Sequence, residues 1–181
     1  MTDWTSASTS FFADGLTNDV QQLCSGAHAD VTPLPLRLEA EPAFELGISV
    51  KAITAAGLLV RQRVRPWLTI GSWEGDVDVA ARIADKLVDN AVKHGEPFPD
   101  GTVTLRLIVD AKTRGLRIEV DDAFPDFPGF GEVANHGIDV AGKPHGLQWV
   151  THYKGCLSWD AKADADGKAV SKTVRAILSA D

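Results

Sequence analysis

Apolar and polar positions along this chain fall into runs of two different periods. Between residues 81 and 95, Ala84, Leu87, Val88 and Ala91 recur at three- and four-residue spacings, while Lys86, Asn90 and Lys93 lie together on the other side. That is the pattern of an amphipathic helix. Asp76 or Asp78 can cap its start, and Lys93, His94 and Gly95 predict its end. Cations favour the negative end of the helix dipole, and glycine accepts the positive φ common just past a helix. Upstream, Phe44, Leu46, Ile48, Val50, Ile53, Ala56, Leu59, Val60 and Val64 predict one long helix over 42–68, with its basic residues in the second half and Pro66 and Trp67 ending it. Leu34, Leu36 and Leu38 alternate over 33–40 behind two prolines, which predicts an edge strand.

Downstream the period changes to two. Val103, Leu105, Leu107 and Val109, then Leu116, Ile118 and Val120, alternate on either side of a turn at Thr113-Arg114-Gly115, which predicts a β-hairpin. The stretch from Asp121 to Pro144 is rich in Gly, Pro and polar residues, too long for a simple connector, and reads as a lid or binding loop. A short helix begins at Gly146-Leu147-Gln148-Trp149-Val150. Two strands follow, over 154–160 and 169–178, joined by a turn at Asp164-Ala165-Asp166-Gly167. Helices collected before an antiparallel set of strands predict an α+β fold, a two-layer sandwich with helices on one face of a mixed, mainly antiparallel sheet. Residues 1–30 read as a loosely ordered N-terminal arm, and 31–181 as the domain proper.

Composition narrows the function classes. With 181 residues, 44% hydrophobic and 24% charged, the chain has the balance of one soluble globular domain. No apolar run approaches the ~20 residues a bilayer-spanning helix needs, and the N-terminus has no signal-peptide pattern, so a cytoplasmic protein without membrane attachment is expected. A net charge of −7 lacks the electrostatic footprint of a nucleic-acid binder. Cys24 and Cys156 are read as ordinary thiols, since no partner stands at metal-ligand spacing. Arg61, Arg63 and Arg65 form a local basic cluster suited to a protein contact.

Three motifs in order resemble a known family. Asp89-Asn90-Ala91-Val92-Lys93-His94-Gly95, then Val120-Asp121-Asp122-Ala123-Phe124-Pro125, then Gly142-Lys143-Pro144-His145-Gly146-Leu147, resemble the N, G1 and G2 boxes of the GHKL (histidine-kinase-like, Bergerat-fold) ATPase superfamily. Within it the chain is most similar to anti-sigma-factor serine kinases and their actinobacterial relatives. The resemblance implies the Bergerat ATP-binding fold, the cofactors ATP and Mg2+, and a protein partner, either a sigma factor or an anti-sigma antagonist. The oligomeric state is left open, a homodimer being one option. The resemblance implies that Asn90 holds the metal, consistent with the few oxygen ligands Mg2+ takes beside phosphates. It places Asp122 and Phe124 against adenine, and Gly142, Lys143, His145, Gly146 and Leu147 beside the phosphates with Lys93 and His94. It sets Thr173 on the last strand near the base.

Two departures bear on activity. In the family's kinases a glutamate four residues before the metal asparagine acts as general base, and here that position is Lys86, normally a cation. Asp85 and Asp89 are near, but a one-residue shift turns a helical side chain by about 100°. Phe124 stands where the family has a glycine at the adenine, placed either to stack on the base or to fill its pocket. Two functions follow: an ATP-binding regulator of the anti-sigma kinase type, or a catalytically impaired module of the same fold that binds a protein with weak or no nucleotide binding. A histidine-kinase reading needs a helical segment bearing the phosphoaccepting histidine, and the N-terminal arm offers only His28.

Overall fold

The computed structural model describes residues 42–135 and 143–180. The expected arm over 1–30, the expected strand over 33–40, Gly142 and part of the lid lie outside the described residues. Those that are described belong to one compact unit.

The long helix expected over 42–68 is two elements. Strand β1 (Phe44–Lys51) comes first, with Phe44, Leu46, Ile48 and Val50 turned inward and the residues between them exposed. That series is strict alternation, which only an extended chain can place on one face. After a turn at Ile53, Ala56, Val60, Val64 and Leu68 stand at four-residue spacing and are buried along helix α1 (Ala56–Ile70). Pro66 does not end α1 but lies inside it on an exposed side, forfeiting one main-chain hydrogen bond.

Helix α2 (Val77–His94) begins as expected. The Asp76 carboxylate accepts hydrogen bonds from the amides of Asp78 (2.9 Å) and Val79 (3.0 Å). Ala80, Ala81, Ile83, Ala84, Leu87, Val88 and Ala91 form its buried face. Gly95 follows, with φ −99° and ψ −166°, so the expected left-handed cap is absent. Its role comes from close approach. A Cβ there would stand 2.6 Å from Asp122 Cγ and 2.7 Å from the Ala91 carbonyl oxygen.

The hairpin β2 (Thr102–Val109) and β3 (Leu116–Asp122) pairs antiparallel in the register Leu105↔Val120 and Leu107↔Ile118. Its turn is held by Asp110, whose carboxylate accepts from the amides of Lys112 and Thr113. A short helix α3 (Phe130–Asn135) lies within the lid, and α4 (Gln148–His152) follows it. Strands β4 (Cys156–Ala163) and β5 (Ala169–Leu178) close the chain. Cys156 is disulfide-bonded, which corrects the expectation of an ordinary thiol; spacing along a sequence does not report distance in space.

Among the described residues the sheet order is β1-β2-β3-β5-β4, antiparallel at every pairing rather than mixed. Leu105, Leu107, Ile118, Val120, Val174 and Ala176 cover one face and are buried with Ile83, Leu87 and Val88 of α2, while α1 packs on α2 and β1. The fold is therefore the α+β arrangement expected, helices on one face of a five-stranded sheet. No helix among the described residues is long and apolar enough to cross a membrane.

Candidate functional site

One face of α2 forms the wall of a cleft of about 280 Å³, lined by Lys86, Asp89, Asn90, Lys93 and His94 together with Gly146. The spacing 86, 89, 90, 93, 94 is the three-and-four rhythm of a single helical face, so these side chains had to arrive together once α2 was packed by its other side. Gly146, at φ 51°, turns the chain into α4 where the cleft meets it. Helix α4 is seated on α2 through Trp149, whose ring lies 4.9 Å beneath the Arg82 guanidinium, one turn before Lys86. Lys143 and His145 are exposed on the approach to α4, whereas Leu147 is buried in the core.

The two carboxylates beside Lys86 separate. Asp89 lines the cleft and accepts a hydrogen bond from Lys93 at 2.6 Å. Asp85 turns toward α1, where a Cβ on Gly57 would collide with its carboxylate, and stands 3.6 Å from the Lys86 ammonium. Only Asp89 of the pair therefore belongs to the cleft.

Asp122 lies just behind the end of this cleft, pressed against Gly95, the residue after His94. It is fully buried. Its Oδ1 accepts from the Phe124 amide (2.9 Å) and from the Lys172 ammonium (2.8 Å). Its Oδ2 is buried without a hydrogen-bond partner among the described residues. Lys172, 2% exposed, also donates to the Phe124 carbonyl (3.0 Å) and sits 4.9 Å over the Phe124 ring. Sequence reasoning missed Lys172, although a lysine in phase with Val174, Ala176 and Leu178 was a visible signal.

Thr173 is not brought to Asp122. The register pairs Asp122 with Lys172 and Asp121 with Thr173, and neighbouring residues of a strand point to opposite faces. Thr173 donates to Asp121 at 2.6 Å on the outer face of the sheet. There Arg106 bridges Glu119 and Asp121, Arg175 joins Glu119 to Asp160, and Lys162 reaches Asp121. Burial pushes the carboxyls of Glu119 and Asp121 up, but hydrogen bonds to Glu119 from Arg175 and Arg106, and to Asp121 from Arg106, Thr173 and Lys162, outweigh it and hold both below the usual range. Burial pushes Arg106 and Arg175 down, and their carboxylate partners more than reverse it.

The site meets a nucleotide unevenly. Asn90 offers a neutral oxygen, and Lys86, Lys93 and His94 offer donors for an anionic group, so the cleft suits phosphates. No group of three or more His, Cys, Asp or Glu side chains able to hold a metal stands among the described residues. Asp122 has a spare carboxylate oxygen of the kind that accepts from an exocyclic amine, but it is fully buried, with Lys172 and the Phe124 amide bonded to its other oxygen.

No protein-family model and no curated protein matches the chain. Among solved structures it is similar to the RsbU and RsbW domains of Rv1364c from Mycobacterium tuberculosis, over 75% of this chain at 18% identity and a TM-score of 0.47. The chain spans 32% of that structure, about a third. It is also similar to the mycobacterial sensor histidine kinase MprB, over 75% of this chain and 97% of the other at 18% identity and a TM-score of 0.43. A third likeness is to the histidine kinase domain of the blue-light-activated histidine kinase from Erythrobacter litoralis EL346, over 57% of this chain and 44% of the other, at 17% identity and a TM-score of 0.35.

Proposed function

We propose that this chain is a regulatory protein of the anti-sigma-factor type, which controls a sigma factor or an anti-sigma antagonist by binding it, with serine phosphorylation absent or very slow. The observation that carries the reading is Lys86. Its ammonium lines the cleft beside Asn90, in the place where the resemblance implies a carboxylate base. An ammonium cannot take the proton of an attacking hydroxyl. The carboxylate that does reach the cleft, Asp89, is held by Lys93.

Loss of a general base costs on the order of 10²–10⁴-fold in rate, so a trace of activity supported by positioning is expected to remain. Mass spectrometry of candidate partners after incubation with Mg-ATP tests this. Wild type should leave them almost unmodified, and Lys86→Glu should raise serine phosphorylation once nucleotide is bound. Rapid stoichiometric phosphorylation by wild type would overturn the reading and transfer the base role to Asp89.

Helix α1 supports the protein-binding half. Leu58 (59% exposed), Leu59, Trp67 and Ile70 (67%) stay exposed along it, with Arg63 exposed among them. A cation set in apolar surface fits an acidic protein partner. Arg65 is already drawn to Asp78 at 2.7 Å, so Arg63 is the arginine most available to it.

A further inference from the structure

Lys172 is an unusual residue for its place. On β5 it shares a face with Val174 and Ala176, toward the helices, and it is 2% exposed. Burying an ammonium there is costly unless each of its donors meets an acceptor. Asp122 Oδ1, the Phe124 carbonyl and the face of the Phe124 ring supply that environment. Asp122 itself is only half used, since Oδ2 is buried without a partner among the described residues. A fully buried carboxylate with a spare oxygen, one residue behind the end of an anion-suited cleft, is a receptor for an amine.

We infer that Lys172 is the built-in occupant of this amine subsite: its ammonium holds the place on Asp122 that the exocyclic amine of an aminopurine would take. A nucleotide entering by its phosphates at Lys86, Asn90 and Lys93 gains a base contact only after Lys172 has been displaced. The inference rests on the reading of the cleft as a nucleotide site. It adds the residue that sets affinity and base choice. Detaching one partner of a buried charged pair is expensive, so Lys172 lowers the apparent affinity for ATP by on the order of 100-fold. It also removes base discrimination, because a base reaches the Asp122 carboxylate only once Lys172 has left it.

The test is calorimetric titration of the full chain with Mg-ATP, Mg-ITP and inorganic tripolyphosphate, for wild type and for Lys172→Ala. ATP and ITP differ at one position, amine against keto. Wild type should bind all three weakly and alike, through the phosphates. Lys172→Ala should bind ATP on the order of 100-fold more tightly and leave ITP and tripolyphosphate unchanged, and adding Asp122→Ala should remove that gain. If the variant binds ATP no better than wild type while tripolyphosphate still binds, the role of Lys172 is refuted and the cleft reading stands. Should neither protein bind any of the three, the cleft reading fails and the inference with it. A wild type that prefers ATP to ITP by tenfold or more also overturns it. If Lys172→Ala does not fold, nitrogen-15 NMR of the lysine ammonium groups in wild type decides. The buried Lys172 ammonium signal should be present in wild type and survive saturation with tripolyphosphate and with Mg-ATP alike, since both bind through the phosphates; loss of that signal as Mg-ATP fills the site refutes the inference.

Discussion

Replacing Gly95 by alanine tests whether close approach, and not a left-handed backbone, is what calls for glycine at the end of α2. The new Cβ would stand 2.6 Å from Asp122 Cγ, 2.7 Å from Asp122 Oδ1 and 2.7 Å from the Ala91 carbonyl oxygen. Ordinary contacts to carbon begin near 3.5 Å, so the neighbours must retreat by roughly 0.9 Å. Neither is free to do so. The carboxylate is tied to Lys172 and to the Phe124 amide, and the Ala91 carbonyl accepts the amide of Gly95 itself at 3.1 Å. Overpacking of this kind costs about 1–3 kcal/mol, and the stiffer unfolded chain that alanine brings offsets about 0.4–1 kcal/mol of it. A net loss of about 1–2 kcal/mol is expected, or a fall in Tm of about 2–8 °C for a chain of this size.

Urea unfolding followed by tryptophan fluorescence would read it as a lower midpoint with an unchanged slope. Gly47→Ala is the control, since nothing lies within 4 Å of a Cβ there, and it should be neutral or slightly stabilising. Gly95→Asn separates the two explanations. A left-handed cap tolerates asparagine, whereas the observed φ of −99° with a crowded Cβ makes asparagine at least as damaging as alanine. Wild-type stability in Gly95→Ala, or rescue by asparagine, would refute the reasoning.

Three further outcomes are expected. Glu119 and Asp121 titrate below the usual carboxyl range when folded, so the stability they contribute is fully present above their unfolded values near pH 4 and is lost as pH falls through the folded ones. Denaturation midpoints should hold from neutral to about pH 5 and decline below about pH 4; Asp121→Asn should flatten that acid limb while lowering stability at pH 7, and an unchanged acid limb would count against the network. Asp76→Ala removes a cap that accepts two amides and should cost about 1 kcal/mol by chemical denaturation. Leu87→Ala, at a fully buried position between α2 and the sheet, should cost about 2–5 kcal/mol in the same assay, and a loss below 1 kcal/mol would contradict its placement in the core.

The sequence by itself determined whatever is encoded within a turn or two of chain. The apolar face of α2, a cap at Asp76 or Asp78, the hairpin β2–β3 and the pairing partners β4 and β5 were all legible, because helix and strand periods and side-chain caps are local properties. So was the grouping of Lys86, Asn90 and Lys93, which a helix of fixed pitch places on one side. The strand β1 was legible too, in the alternation of Phe44, Leu46, Ile48 and Val50, but it was merged with the helix after it because apolar residues continue across the boundary without a strong breaker. What only the tertiary structure decided is register and proximity between distant segments. Which of Lys172 and Thr173 faces Asp122 depends on how β5 slides against β3, and a slip of one residue exchanges the two faces. That Asp85 packs against Gly57 while Asp89 opens on the cleft follows from where α1 crosses α2. Gly95 owes its small size to a carboxylate 27 residues further along the chain, since Asp122 minus Gly95 is 27 in the numbering. Such contacts arise from packing the whole core, and no local period records them.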